Sequence, residues 1–324
     1  MASLKEIKNR ISSVNSTRKI TSAMKMVASS KLHHAQVAIQ NMLPYENMLE
    51  HILKSFLAAA VEPKTIYDQE RHVKRVALVV FSSNSSLCGG FNSNVIKVMM
   101  KAEEALSNEL GRENVEVYPV GRKAAEKARK LGYNVKCDLA DLVDHPNVNQ
   151  CIELAMELGE RFAKGEIDKV ELIYHHFKSA GSQILTHKTF LPIDIETELQ
   201  RDHERDLTSN VATQKVQDYL KKKGRRKSVK NSDEEVAPLN DNYIVEPDVH
   251  TVLSQLIPKM GHLMLYTALL DSVASEHAAR MVAMQTATDN ADELLRQLNL
   301  QYNKSRQQAI TNELLDIVGG SVNN

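Results

Sequence analysis

Apolar and small residues recur near the end of the chain at Leu263, Thr267, Leu270, Ala274, His277, Met281, Met284, Thr288, Ala291, Leu295, Leu298 and Tyr302, in steps alternating between three and four. That alternation puts every member on one stripe of a helix. No proline follows Pro258, and no glycine lies between Gly261 and Gly319. The spacing predicts one helix from about Pro247, well placed at a helix start, to Val318, on the order of 100 Å long. A repeat of this length without internal caps predicts a coiled coil, because a globular domain cannot bury such a rod. The middle of its seam lacks the Leu, Ile and Val of a stable zipper. Ala274, His277, Thr288 and Ala291 stand there instead, which weakens packing but lets a neighbour approach closely.

A second helical pattern runs from Leu4 to about Leu57, roughly 80 Å if continuous. Ser3 before Glu6 has the arrangement of a capping box. Leu4, Ile7, Ile11 and Val14 share a stripe, the phase slips to Ile20, Met24 and Val27, and the rhythm returns at Ala38, Met42, Tyr45, Leu49, Ile52 and Phe56. The slip predicts a local break in the seam, and Pro44 predicts a kink.

Between the rods the period changes. Arg75 to Phe81 is a continuous apolar run, as in a strand buried on both faces. Helices are predicted over Asn94–Leu110, Arg122–Leu131 and Val148–Ala163, and strands over Val115–Val120, Val170–Phe177 and Ile184–Ile193. The last two strands, joined by Ser179-Ala-Gly-Ser, predict an antiparallel hairpin. Alternating strands and helices predict an α/β domain with a mostly parallel, Rossmann-like sheet of about five strands. The predicted organisation is a helix over 1–58, an α/β domain over 72–195, a charged, mobile loop over 196–242, and a helix over 247–320. The loop carries Lys221-Lys-Lys-Gly-Arg-Arg-Lys and Asp233-Glu-Glu, a solvated pattern that could also meet an anionic partner.

Charge sharpens the picture of two rods. Residues 1–34 hold seven basic side chains against Glu6 alone, whereas residues 247–324 hold five basic and eight acidic ones. Such opposition is consistent with the two ends pairing. Over the whole chain 41 basic residues balance 41 acidic ones, so net charge points to neither nucleic acid nor membrane. The basic N-terminal helix has an apolar stripe and no aromatic residue for stacking, which favours a partner helix over nucleic acid. Cys88, Cys137 and Cys151 have no metal-ligand spacing and fit reduced thiols. No apolar run approaches the roughly 20 residues that span a bilayer. The N-terminus has neither a signal-peptide core nor a transit pattern.

No catalytic constellation emerges. The loop Asn84-Ser-Ser-Leu-Cys-Gly-Gly-Phe-Asn92 could cradle a phosphate at a helix start, or its glycines could simply supply a tight turn. It has neither P-loop nor dinucleotide-fold spacing. Cys88 has no His or acid nearby in sequence to activate it. The pairs His33-His34 and His175-His176 point to opposite faces, which argues against a metal. No cofactor is expected.

Several stretches together resemble the gamma subunit of F-type ATP synthases. They are Ser3-Leu-Lys-Glu-Ile-Lys-Asn-Arg-Ile, Thr17-Arg-Lys-Ile-Thr-Ser-Ala-Met-Lys-Met-Val-Ala28, Leu87-Cys-Gly-Gly-Phe-Asn, Ser275-Glu-His-Ala-Ala-Arg-Met-Val-Ala-Met, and Tyr302-Asn-Lys-Ser-Arg-Gln-Gln-Ala-Ile-Thr-Asn-Glu-Leu-Leu-Asp-Ile-Val-Gly-Gly. The resemblance implies an antiparallel coiled coil turning as a shaft inside a ring of alternating alpha and beta subunits. It implies an α/β foot against the epsilon subunit and the c-subunit ring, with catalysis left to the beta subunits. By position, it implies that Met24, Arg280, Arg306, Gln307, Thr311 and Glu313 meet the beta subunits and that Glu246 lies near the c ring.

It further implies a bacterial protein on the cytoplasmic side of the inner membrane, peripheral and not spanning. Asn84-Ser-Ser replaces the family's usual Asp, basic residue and Gly, and Val245 replaces a usual aromatic. The Leu220–Asp241 stretch looks like an insertion without the cysteine pair of plastid relatives, so a thiol switch is not expected. From the residues alone, the competing function is a nucleotide-binding α/β protein with coiled-coil oligomerisation arms.

Overall fold

In the computed structural model of the chain the described residues are 4–58, 65–69, 71–137, 139–194, 205, 207 and 245–322. In chain order the elements are α1 (Leu4–Ala58), β1 (Val76–Phe81), α2 (Phe91–Leu110), β2 (Val115–Val120), α3 (Arg122–Lys130), β3 (Asn134–Val135), α4 (Ala140–Asp144), α5 (Val148–Ala163), β4 (Lys169–Ser179), β5 (Ser182–Leu191) and α6 (Val249–Val322). They make two compact units, residues 1–28 with 280–324, and residues 29–279. Only α1 and α6 contribute to both.

The larger unit holds a five-stranded sheet in the order β3-β2-β1-β4-β5. β1 pairs in parallel with β2 and with β4, β2 in parallel with β3, and β4 antiparallel with β5. This is the mostly parallel sheet with one hairpin that the sequence predicts. β1 is central and buried along its whole length, hence its unbroken apolar run. On one face Leu78, Val80, Val117 and Ile173 pack with Val95 and Met99 of α2 and Ala124 and Ala128 of α3. Phe81, Tyr118 and Tyr174 belong to the other face, where Phe81 and Tyr174 meet edge-on at 6.3 Å. There Arg161 of α5 donates to Tyr118 Oη and to Glu116 Oε2, the latter at 2.7 Å. β5 stops at Leu191 because Pro192 has no N–H to continue a ladder. β3 and α4, of two and five residues, escape the sequence pattern because they are shorter than one period can reveal.

Within this unit α1 buries Leu32, Ala35, Ile39, Met42, Glu46, Leu49, Leu53 and Phe56, again in steps of three and four. The helix continues past Pro44. Tyr45, expected on the seam, is 53% exposed, and buried Glu46 stands beside it. α6 runs antiparallel, with Thr267 Oγ1 donating to Met42 Sδ at 3.6 Å. It also lies on the sheet, since Ser275 Oγ donates to the carbonyl of His175 in β4 at 3.3 Å. From Asp271 to Ala278 every residue of α6 is buried. The small side chains there therefore do not mark a loosely packed seam. They admit the sheet on one side and α1 on another, and Ala274, Ser275 and Ala278 are fully enclosed.

α6 begins later than Pro247 suggests. Asp248 takes the capping position, accepting from the backbone N–H of Thr251 at 2.9 Å and from its hydroxyl at 2.6 Å. Pro247 precedes the cap and is not the first helical residue. The expected cap at Ser3 and, apart from residues 205 and 207, the charged loop over 196–242 lie outside the described residues.

Candidate functional site

The smaller unit is a pair of antiparallel helix segments, residues 4–28 of α1 and 280–322 of α6. Three polar rungs join them. Arg18 Nη1 donates to Asp292 Oδ1 at 3.0 Å, the hydroxyls of Thr21 and Thr288 lie 2.8 Å apart, and Lys25 Nζ donates to Gln285 Oε1. Gln285 in turn donates to Asp289 Oδ1 at 2.7 Å. From Arg18 to Lys25 and from Asp292 to Gln285 the chain advances by one heptad on each helix, so the rungs share one register. Arg18 and Asp292 are 39% and 53% exposed, and such a pair contributes at most about 1 kcal/mol. A hydroxyl pair contributes about the same. The rungs thus specify alignment more than they hold the helices together. Holding falls to Ile7 and Ala28 on α1 and to Met281, Met284, Ala291 and Leu298 on α6.

This arrangement corrects the predicted slip on α1. The buried stripe does not move to Ile20, Met24 and Val27. It continues through Arg18, Thr21, Lys25 and Ala28, polar residues occupying the seam because each finds a polar partner on α6. Ile20 and Val27 are instead 60% and 58% exposed, and Met24 between them is half-buried. Their spacing still marks a stripe, but an outward one, with Met26 at 65% exposure beside it. Sequence reasoning missed Ile20, Met26 and Val27 as surface candidates. The signal was present, since two apolar stripes out of phase on one helix mean that one of them faces away from the partner.

The remaining predicted site residues fall as follows. Arg280 is half-buried in α6, while Arg306, Gln307, Thr311 and Glu313 are exposed on consecutive turns near its end, among Ile310, Leu314 and Leu315, which are about half exposed or more. Glu246 is exposed just before α6 and belongs to the larger unit. Farther along the smaller unit Arg296 donates to Glu293 at 2.8 Å and holds its carboxyl down to about 2.

The glycine-containing loop after β1 is closed by its own side chains. Asn92 Oδ1 accepts from the backbone N–H of Ser83 at 3.0 Å, and its Nδ2 donates to Ser83 Oγ at 2.7 Å and to Cys88 Sγ at 3.1 Å. Leu87 and Gly89 take left-handed conformations that fold the chain back on itself. The side chains of Ser83 and Asn92 and the Ser83 N–H are engaged within the loop, which favours a tight turn over a cradle. Asn84 bridges two helices: it donates to Ala140 O and accepts from the N–H of Arg122, at 2.7 and 2.9 Å. His175 and His176 do face opposite ways, the first stacked on Phe91 at 4.4 Å and the second 2.6 Å from Asp271.

Two antiparallel helix segments held in one register by polar rungs have the geometry of a coiled coil. Comparison with known proteins makes the class specific. The ATP synthase family model matches residues 3–322. ATP synthase gamma chains of Phocaeicola vulgatus and Bacteroides thetaiotaomicron are 52% and 51% identical, each over 99% of this chain and 100% of the relative. That of Flavobacterium johnsoniae is 41% identical over 99% of this chain and 98% of its own. A chain of the Euglena gracilis mitochondrial ATP synthase shares the fold at a TM-score of 0.57 and 17% identity, over 98% of this chain and 93% of that one. The chain belongs to the ATP synthase gamma-chain family, whose members are non-catalytic subunits of the complex.

Proposed function

We propose that this chain is the central shaft of a proton-driven ATP synthase, with its terminal helices turning inside a ring of alpha and beta subunits. The outward apolar stripe Ile20–Met24–Val27 carries this reading. An exposed apolar stripe on a helix whose other stripe is already paired is the surface expected of a protein interface. In this reading residues 1–58 and 247–320 form the shaft, 72–195 the foot against the epsilon subunit and c ring, and 196–242 a charged loop between them. Met24, Arg280, Arg306, Gln307, Thr311 and Glu313 meet the beta subunits, and Glu246 lies near the c ring. Turning the shaft presents different sides of an asymmetric surface to each beta subunit in succession, which changes its affinity for ADP, phosphate and ATP.

No helix among the described residues is long and apolar enough to cross a membrane. The placement that fits this and the bacterial relatives is peripheral, on the cytoplasmic side of the inner membrane. The competing nucleotide-binding reading is disfavoured by the loop that Asn92 closes.

Two measurements test the shaft. The purified chain should hydrolyse no ATP alone, yet restore rotation-coupled turnover when added to its alpha and beta subunits. Failure to assemble with them overturns the proposal. Met24→Lys should leave assembly intact and cost the fold less than about 1 kcal/mol, as surface changes do. It should nevertheless lower proton-driven synthesis, because it puts a cation into the interface stripe. Unchanged synthesis would remove Met24 from that interface.

A further inference from the structure

Glu46 of α1 and Asp271 of α6 are carboxylates in the larger unit with 7% and 0% exposure. Two buried anions on adjacent helices would repel strongly in a poorly screened interior. Between them lies a guanidinium from outside both helices. The Arg205 side chain is 2% exposed. Its Nε and Nη2 donate to the two oxygens of Asp271 at 3.0 and 3.2 Å, and Nη1 donates to Glu46 Oε2 at 3.2 Å. Asp271 Oδ2 also accepts from His176 Nδ1 of β4 at 2.6 Å. Burial works against the charge on Arg205, but the two carboxylates more than offset it and raise its pKa above the ordinary value. Lys188 and Tyr174, from the hairpin, line the small cavity beside the cluster together with Arg205 and Glu46.

A fork of rigid geometry can hold two carboxylates at fixed separation, which the single point charge of a lysine cannot. Buried ionic clusters contribute little net stability against an apolar replacement, so an arrangement of this kind is better explained by what it aligns. Here it aligns α1, α6 and β4.

We propose that Arg205 is a positioning residue for energy coupling: by bridging Glu46 and Asp271 it makes the two helices and the sheet turn as one body, so that torque entering the α/β foot reaches the shaft without slip. The proposal rests on the shaft reading.

The test uses the whole ATP synthase, assembled with this chain and reconstituted in vesicles. Four chains are compared: the unaltered one, Arg205→Lys, Arg205→Gln, and the neutral triple variant Arg205→Met, Glu46→Gln, Asp271→Asn. Assembly, ATP hydrolysis, protons pumped per ATP and the melting temperature of the isolated full chain are recorded. Arg205→Gln should lose about fivefold in protons pumped per ATP, and Arg205→Lys somewhat less, while hydrolysis persists. The triple variant removes both carboxylates together with the guanidinium, so its melting temperature should lie nearer that of the unaltered chain than that of Arg205→Gln does, while its coupling remains low. Full coupling in Arg205→Lys and in the triple variant would overturn the proposal even if Arg205→Gln fails to fold, since a purely structural cluster is rescued by neutralisation. Failure of the unaltered chain to assemble would instead defeat the shaft reading itself.

Discussion

Gly121→Ala should unfold the α/β unit at a temperature well below that of the unaltered chain, with a loss on the order of 4 kcal/mol. Gly121 follows β2 at φ +111°, a conformation side-chain-bearing residues rarely adopt. A methyl group there would sit 2.1 Å from the carbonyl oxygen of Ser82 and 2.7 Å from its carbon. Neither is a flexible side chain that can swing aside. Ser82 is also fixed from both directions, its N–H donating to Val120 O at 2.8 Å and its hydroxyl accepting from the N–H of Ala124 at 2.9 Å. Relief of the clash must therefore separate the ends of β1 and β2 or release the start of α3. Thermal or urea unfolding of the full chain, followed by circular dichroism, checks this; a change below about 1 kcal/mol would show that the junction yields easily.

The second large effect is a dependence on acid. His175 is 3% exposed and its Nδ1 has no hydrogen-bond partner. Burial pushes its pKa down to about 4 from an ordinary value of 6.5. The folded chain keeps this imidazole neutral while the unfolded chain protonates it, so stability from this residue is whole above pH 6.5 and declines as pH falls toward 4. Two and a half pKa steps correspond to about 3 kcal/mol. His175→Phe keeps the stack on Phe91 and removes the proton site. Urea unfolding at pH 7 and at pH 4.5 should show the variant losing less stability on acidification than the unaltered chain. Equal losses would mean that His175 finds water or a proton acceptor when charged. Glu116 and Glu171, whose carboxyls are also held low by cationic neighbours once burial is overcome, share this sign and are common to both chains.

The two long helices and the central strand could be read from sequence because their patterns outlast local noise: the stripe from Met281 to Leu298 is buried or half-buried in the structure at every predicted position. The seam of α1 could not. Arg18, Thr21 and Lys25 occupy it, and each is intelligible there only once Asp292, Thr288 and Gln285 stand opposite, at sequence distances above 250. Counting apolar residues chose the outward stripe instead. Arg205 was hidden for the same reason. It lies in a stretch whose composition suggests a solvated loop, and its partners are 66 and 159 residues away. Arg306, Gln307, Thr311 and Glu313 have no periodic signature at all, being exposed polar positions, and only family resemblance singled them out.

The smaller unit joins two segments that lie far apart in the chain. Thr21 must wait for Thr288, 267 residues later. At a ribosomal pace of about 5–20 residues per second, that interval lasts roughly 13–53 seconds. Meanwhile residues 4–28 carry their cations and apolar stripes with no helix to meet, and tertiary packing supplies most of a helix's stability in a protein. Every strand from β1 to β5 is made before residues 280–322, so residues 4–28 find their partner only after that stretch exists.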